Sequence, residues 1–252
     1  MALGAVAEPP VRRRGSDYAQ LSRRISQAGL LERRPASYGA RLVLTLGAFV
    51  AGWVAVFLVG DSWWQVALAA VLAVATTQVA FLGHDAGHRQ MFRRRFPSEL
   101  VGLVAGNAAV GLSYGWWVDK HNRHHANPNH EDEDPDVGAG ALVWTMGCAF
   151  APNHKGIPMP TAEDELDFLR KQVLTSRNVR GSRLVDTALG GLNYQIEHHL
   201  FPNMPRANLR RAQPIVRAYC AEQGISYAET GLVESYRQAL GHLHEVGRPL
   251  RG

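Results

Sequence analysis

Cysteine and lysine are scarce in this chain of 252 residues. It has two cysteines, Cys148 and Cys220, which stand 72 positions apart, and three lysines against 24 arginines. Two thiols at that spacing exclude a disulfide framework and a CxxC metal site. The arginine bias is typical of a GC-rich bacterial genome, so we expect a bacterial protein whose thiols are free in a reducing compartment.

Charge is missing from two long stretches, residues 42–60 and 62–83, which only Asp61 separates. A helix rises about 1.5 Å per residue, so roughly 20 residues cross the ~30 Å hydrocarbon core of a bilayer. Soluble helices of this length normally keep a polar face. We therefore predict a transmembrane hairpin over 42–83, in preference to two buried helices of a soluble protein.

The arginines predict how the hairpin is oriented. Residues 1–41 contain eight arginines, the turn at Asp61 contains none, and residues 84–95 contain four. By the positive-inside rule both ends of the hairpin are cytoplasmic, and we expect the bacterial inner membrane. The sequence has no aromatic-interleaved basic sheet or helix-turn-helix pattern, so nucleic acid is not an expected partner. The start of the chain has no apolar core after a basic region, and we expect no cleavable signal peptide.

Histidine is concentrated in three short motifs, HDAGH, HNRHH and QIEHH. Seven of the eleven histidines stand in them: His84, His88, His121, His124, His125, His198 and His199. Spacings of three and four residues place such side chains on one face of a helix. Imidazoles crowded into one turn would repel one another when protonated. A bound cation therefore explains the crowding better than interfacial or solvated histidines do.

His154, in the stretch APNHKG, is a candidate eighth ligand, with a polar surface histidine as the alternative. Eight imidazoles exceed the three or four ligands of a tetrahedral zinc, so they suit two metals of higher coordination. Imidazole serves Zn, Cu, Fe and Ni alike, and the ligands alone leave the metal open. HDAGH also lacks the glutamate of HExxH, so a zinc protease would have no general base.

The charge-free segment 101–118 could span the bilayer or lie on its surface, because four glycines and Asn107 interrupt it. A span here would put the second histidine motif on the opposite side from the first, and motifs that share a metal pair must meet. We therefore expect 101–118 to lie in the interface. The acidic stretch EDEDPD at 131–136 does not fit an EF-hand, and we expect a solvated loop there.

These features predict an all-α integral membrane protein with a histidine-rich di-metal site. An arginine-rich cytoplasmic segment, 1–41, precedes a single domain, 42–252. That domain combines the transmembrane hairpin, the interfacial segment and a cytoplasmic cap and tail over 119–252. From about residue 160 we expect two or three further helices.

The three motifs, in this order, resemble the histidine boxes of the integral-membrane fatty acid desaturases. The glutamine that opens the third motif is similar to the bacterial acyl-lipid and front-end branch of that family. The flanking sequences GHDAGHRQMF, KHNRHHANPN and GLNYQIEHHLFPNMPRANL agree with it, and the resemblance extends from about residue 15 to 245.

The resemblance implies an enzyme that uses O₂ and two iron ions (Fe²⁺/Fe³⁺) to introduce a cis double bond into an acyl chain carried by a lipid or by CoA. The implied ligands are the seven box histidines and His154. Asp85, Asn153 and Gln195 are implied to act from behind the ligands or through water. The di-iron centre itself would do the chemistry, with no separate acid or base residue.

Electrons would come from an external donor, because the chain has no HPGG haem motif of a fused cytochrome b5. A ferredoxin, or a cytochrome b5-like protein with its reductase, is the expected partner.

The chain departs from this family between its second and third boxes. Members of the family carry a second transmembrane hairpin there, whereas here GAGALVWT runs almost directly into MGCAFAPNHKG. Loss of an even number of spans keeps every box on one side but removes part of the wall around the acyl chain. A catalytically inactive, truncated desaturase-like protein, or a metal-binding partner of an intact one, is therefore an alternative. A hydroxylase built on the same boxes is another; it would yield an alcohol instead of an alkene.

Overall fold

The computed structural model describes residues 16–130, 132–137, 151–154, 157, 159–161 and 164–246, and most of them are helical. The α-helices are α1 (Ser16–Gln27), α2 (Pro35–Val59), α3 (Trp64–Gly87), α4 (Arg95–Leu103), α5 (Tyr114–Ala126), α6 (Ala151–His154), α7 (Phe168–Leu174), α8 (Arg183–Ala188), α9 (Gln195–Leu200), α10 (Arg206–Glu222) and α11 (Leu232–Val246). Cys148 and the shortened stretch around GAGALVWT lie outside the described residues.

Helices α2 and α3 form the hairpin expected from the two charge-free stretches. Pro35 begins α2 and Gly60, at φ +64°, ends it. The Gln65 side chain closes the turn by donating to the carbonyls of Val56 and Gly60, both at 2.8 Å. Both helices are long and apolar enough to cross a membrane, and Trp63 at the turn is 91% exposed. So large an exposed apolar surface suits a bilayer better than water. The orientation of the hairpin stays a prediction.

Residues 101–118 do not form one continuous helix. Helix α4 runs into a π-helical turn over Val104–Val110, which Gly111 ends in the left-handed region at φ +76°. Ser113 then caps α5, and Asn107 accepts a hydrogen bond from the first backbone N–H of that helix at 2.9 Å. The chain therefore turns back here, which agrees with a segment that does not span. Its place in the membrane interface stays a prediction.

The cap is built on an apolar core between α1, α7, α9 and α10. Fully buried side chains from all four helices meet there, among them Leu21, Ile25, Leu169, Val173, Ile196, Leu200, Leu209 and Val216. The expectation of two or three helices after residue 160 is wrong, since the described residues of this region contain α7 to α11. Helices α7, α8 and α9 have only six or seven residues, too few for an apolar period to stand out in a sequence.

A two-stranded parallel ladder, β1 (Asn178–Arg180) with β2 (Glu229–Gly231), interrupts the helical cap. The expectation of an all-α fold is wrong in this detail. The backbone of β1 starts in the buried core and must find hydrogen-bond partners there. The N–H of Val179 donates to the carbonyl of Asn193 at 2.9 Å, and that of Asn178 to the carbonyl of Ala228 at 3.0 Å.

Arg206, at the start of α10, fastens the cap to the end of α3. Its guanidinium donates to the Asp85 carboxylate at 2.8 Å and to the carbonyl of Phe81 at 3.0 Å. Its backbone N–H donates to the Tyr38 hydroxyl of α2 at 3.2 Å. Both members of the ion pair are buried, so removing one would leave the other as an uncompensated charge. The hairpin and the cap are thereby held in one arrangement.

The turn between α8 and α9 passes so close to α3 that it tolerates no side chain at Gly190. This glycine has φ +63°, and a Cβ there would lie 2.5 Å from the ring of Phe81. Gly224 offers a matched control, because its φ is +65° and nothing lies within 4 Å of its Cβ position. We expect Gly224→Ala to cost about 1–2 kcal/mol of backbone strain. Gly190→Ala should cost about 1–3 kcal/mol more through overpacking.

Thermal unfolding midpoints of the two variants in detergent test this difference. The midpoint of Gly190→Ala should lie clearly below that of Gly224→Ala, which in turn lies slightly below the unmodified protein. Equal midpoints for the two variants would contradict the close packing of this turn against α3.

Candidate metal centre

Four separate elements bring the predicted ligands together at the end of the hairpin. His84 lies in the last turn of α3, and His88 is the residue that caps that helix. The HNRHH histidines lie in the C-terminal half of α5, His154 ends the short α6, and His198 and His199 lie in α9. The Trp117 ring stacks on His121 with centroids 4.5 Å apart. Thus all eight predicted histidines meet in one place, and their role as ligands stays a prediction.

The first cluster consists of four histidines from three boxes: His84, His88, His121 and His198. Each offers a ring nitrogen, and these nitrogens all lie within 4.8 Å of one another. The Nε2 atoms of His88 and His121 are 2.9 Å apart. Helix α3 supplies its two members four residues apart, on one helical face, as expected from HDAGH.

The second cluster consists of His124, His154 and His199, whose nitrogens also lie within 4.8 Å of one another. All three are buried. Gln195 reaches into this cluster, with its amide nitrogen 3.0 Å from Nε2 of His154 and 2.8 Å from Nε2 of His199. Its amide nitrogen therefore lies directly beside two ring nitrogens of this cluster. The supporting role that the resemblance implies for Gln195 stays a prediction.

His125 lies between the two clusters. Its Nε2 is 3.1 Å from Nε2 of His121 in the first cluster. Its ring stacks on His199 of the second cluster, with centroids 4.4 Å apart. Neighbouring residues on a helix point about 100° apart, and the adjacent pair of the third box divides accordingly: His198 lies in the first cluster and His199 in the second.

Oxygen acceptors fix the orientation of the imidazoles by binding their outer nitrogens. Nδ1 of His124 donates to Asp134 at 2.8 Å, and Nδ1 of His199 donates to Oε1 of Gln172 at 3.0 Å. The same nitrogen of His154 donates to the carbonyl of residue 175 at 3.1 Å. These oxygens can only accept, so Nδ1 carries the proton and Nε2 keeps its lone pair. Such partners set the tautomer of metal-binding histidines and raise their basicity.

Burial favours the neutral form of five of these imidazoles. It lowers the pKa well below the usual value for His88, His121, His125, His198 and His199, and neighbouring histidines lower it further. A neutral ring carries a single N–H. Lone pairs therefore face one another in a space from which water is largely excluded.

Hydrogen bonding leaves some of these nitrogens unsatisfied. Both ring nitrogens of His198 are buried and have no hydrogen-bond partner among the described residues, and Nδ1 of His125 has none either. Metal–nitrogen bonds of about 2.0–2.1 Å at right angles put two ligand nitrogens about 3.0 Å apart. The Nε2 separations of 2.9 and 3.1 Å match that spacing. The residues of the first cluster fit a bound metal ion by this spacing, and those of the second cluster could hold one because their nitrogens lie within 4.8 Å of one another.

The structure also corrects the reading of EDEDPD as a solvated loop. Asp134 is 4% exposed; besides His124, it accepts hydrogen bonds from the backbone N–H groups of Asn129 and Asp136 at 2.6 and 2.8 Å. The loop folds inward because the buried imidazole needs an acceptor. No local pattern in the sequence distinguishes this aspartate from its acidic neighbours.

The other residues predicted to support the ligands also lie at the centre. Asp85 accepts from Nδ1 of His84 at 3.3 Å while it pairs with Arg206. The Asn153 amide donates to the carbonyl of Leu192 at 2.9 Å. Its Oδ1 is buried and has no partner in the described part of the chain. Sequence reasoning missed Arg206 and Gln172, because neither stands at a repeated spacing from the histidines.

Comparison with known proteins agrees with the geometry. The family model of the fatty acid desaturases matches residues 61–141 and 137–231, which include all three boxes. The chain therefore belongs to the fatty acid desaturase family.

Its relatives are longer proteins of modest identity. An acyl-lipid (9-3)-desaturase of Physcomitrium patens is 26% identical over 71% of this chain and 53% of its own length. Fatty acid desaturase 3 of Bos taurus is 27% identical over 84% of this chain and 68% of its own length. A Delta(8)-fatty-acid desaturase of Helianthus annuus is 24% identical, with shares of 87% and 70%. The chain spans about half the length of the moss protein and about two thirds of the other two.

The comparisons agree with a shortened middle. The bovine alignment extends over 303 positions, against 252 residues in this chain, so at least 51 positions of the relative have no counterpart here. The two matches to the family model meet at residues 137–141. These residues lie between the second and third boxes, and the loss of a hairpin there stays a prediction.

Removing the acceptor behind His124 should weaken metal binding. Asp134→Asn keeps the shape of the side chain but removes the charge that orients Nδ1, and we expect a 10–100-fold loss of affinity. Asp132→Asn is the matched control, because Asp132 is exposed in the same loop. Metal retention against a graded chelator measures the affinity. Equal retention in both variants would show that Asp134 does not support the centre.

Acid should destabilise the protein once its metals are removed. The folded-state pKa values of His88, His121, His125, His198 and His199 are lowered, so below about pH 6.5 the unfolded chain binds more protons than the folded one. Stability is therefore present above that pH and is lost as the pH falls toward the folded pKa values. We expect the unfolding midpoint of the metal-depleted protein to fall between about pH 7.5 and about pH 5.5. A midpoint that stays level or rises would contradict neutral, buried imidazoles.

Proposed function

We propose that this chain is an O₂-dependent di-iron acyl desaturase that introduces a cis double bond into a membrane-borne acyl chain. The observation that supports it most is the pair of histidine clusters at the end of an apolar hairpin. The relatives, which include an acyl-lipid (9-3)-desaturase and a Delta(8)-fatty-acid desaturase, support the same reaction class. The substrate carrier is proposed to be a lipid or CoA.

The proposed ligands divide between two irons. His84, His88, His121 and His198 would hold one, and His124, His154 and His199 the other, with His125 between them. The Gln195 amide nitrogen lies beside Nε2 of His154 and Nε2 of His199, so this side chain would border the site of the second iron.

An iron pair would supply, when bound, the oxidising power with which O₂, two electrons and two protons remove two hydrogens from adjacent carbons, leaving an alkene and two waters. Such chemistry needs a redox metal, because an unactivated C–H bond has no acidic proton for a base to take.

The chain's own residues prepare that centre. Asp134 and Gln172 hold the outer imidazole nitrogens, so the inner lone pairs stay aimed inward. Neutral ligands leave the site cationic, which favours the reduced metal pair that meets O₂. The end of the hairpin is the level at which an acyl chain in the bilayer and an electron donor in water can both approach. In this proposal the membrane is the bacterial inner membrane, and the boxes and both termini are cytoplasmic. The donor is a ferredoxin or a cytochrome b5-like protein with its reductase.

The shortened middle supports a second candidate, a desaturase-like protein that binds metals without turnover. The second hairpin, which the resemblance predicts to be lost, would otherwise form part of the wall around the acyl chain. The two candidates differ in product formation and agree in metal content.

Fatty-acid profiling of an expressing host tests the proposal. The wild-type chain should yield a new unsaturated acyl species, while His198→Ala should yield none, because it removes a ligand of the first cluster. His242→Ala is the matched control, a histidine of α11 outside the boxes, and it should leave the product unchanged. A new hydroxy fatty acid would assign a hydroxylase. No product from a folded, iron-containing wild-type chain supplied with a reducing partner would overturn the desaturase proposal in favour of the second candidate.

A further inference from the structure

A second candidate site lies apart from the histidines, where the two ends of the hairpin meet the cap. It is a cavity of about 310 Å³ lined by Arg33, Pro35, Met91, Phe92 and Arg93. None of these residues belongs to the metal centre. Arg33 stands two residues before α2 begins, and Arg93 stands six residues after α3 ends. The cavity therefore lies at the level where lipid headgroups meet an apolar hairpin.

The charges around this cavity are unbalanced. Arg33 and Arg93 are near enough that Arg93 helps to lower the pKa of the Arg33 guanidinium, an effect second only to burial. Nη1 of Arg33 is buried and has no hydrogen-bond partner among the described residues. Among the described residues, no carboxylate forms an ion pair with the guanidinium of Arg33 or Arg93. A buried, unpaired donor beside a like charge is unfavourable until an anion satisfies both.

The walls of the cavity indicate which anion suits it. Guanidinium groups present a planar fork of donors that matches phosphate oxygens. Pro35 begins α2, and no side chain caps that helix end, so its positive end adds to the attraction for an anion. Met91 and Phe92 supply an apolar wall, with Met91 fully buried. The combination favours a phosphate group joined to an apolar body.

We propose that this cavity binds the phosphate group of a phospholipid headgroup at the membrane surface. Arginines that only orient a hairpin need neither a cavity nor a buried donor without a partner, and this site has both. The proposal does not depend on desaturase activity. The same phosphate chemistry could be supplied by free inorganic phosphate, so the experiment separates the two sources.

Binding to the full-length protein in a neutral detergent tests the proposal. The probes are dioctanoylphosphatidic acid, dioctanoylglycerol, which has the same chains without phosphate, and inorganic phosphate. Arg33→Gln/Arg93→Gln removes both guanidiniums and should weaken phosphatidic acid binding at least about tenfold. The matched control is Arg23→Gln/Arg211→Gln, which makes the same change of net charge at two exposed arginines. It should bind like the wild type.

Phosphatidic acid binding that is lost in Arg33→Gln/Arg93→Gln and kept in the control variant supports the site. In that case, inorganic phosphate that fails to compete identifies a lipid headgroup, and inorganic phosphate that competes fully identifies phosphate in general. Equal affinity in all variants, equal loss in the control, or equally tight binding of dioctanoylglycerol would overturn the proposal. Arg93→Gln alone serves if the double variant does not fold, because Arg93 is exposed, and it should still weaken binding several-fold.

Discussion

The convergence of neutral imidazoles in a dry space is the constraint on which the rest of this structure depends. Lone pairs of His88, His121 and His125 face one another at about the separation of two ligands on one metal. Without a cation, both ring nitrogens of His198 and Nδ1 of His125 would stay buried without hydrogen-bond partners among the described residues, at a cost of roughly 1–3 kcal/mol each. The surrounding fold can be understood as the means of keeping them there.

The cap supplies most of that support. Helix α7 provides Gln172 behind His199, and the carbonyl just after this helix binds His154. Asn178 of β1 accepts from the backbone N–H of Ile196 at 3.0 Å and donates to the Glu197 carboxylate at 2.7 Å, which fixes α9. Through Arg206 and Asp85 the cap also reaches His84 on the hairpin. Several elements of the cap thus help to fix the orientation of the proposed ligands.

Some of this could be predicted from the sequence because the signals are local. Charge-free stretches gave the hairpin, and histidines at spacings of three and four gave the three boxes. The division of adjacent residues such as His198 and His199 between clusters depends on how three distant helices meet, which spacing alone does not specify. Asp134 was expected in solvent because it stands among acidic residues. Its burial follows from the position of His124, which its sequence neighbours do not indicate. The ladder of β1 and β2 has only three residues in each strand, too short to give an alternating pattern.

Iron and zinc content per chain, measured by elemental analysis on detergent-purified protein, tests the central claim most directly. We expect about two irons per wild-type chain, after reconstitution with ferrous iron if zinc has replaced the iron. We expect less iron per chain in His198→Ala. Folded wild-type protein that retains no iron after such reconstitution would contradict the account. So would a His198→Ala variant with undiminished iron.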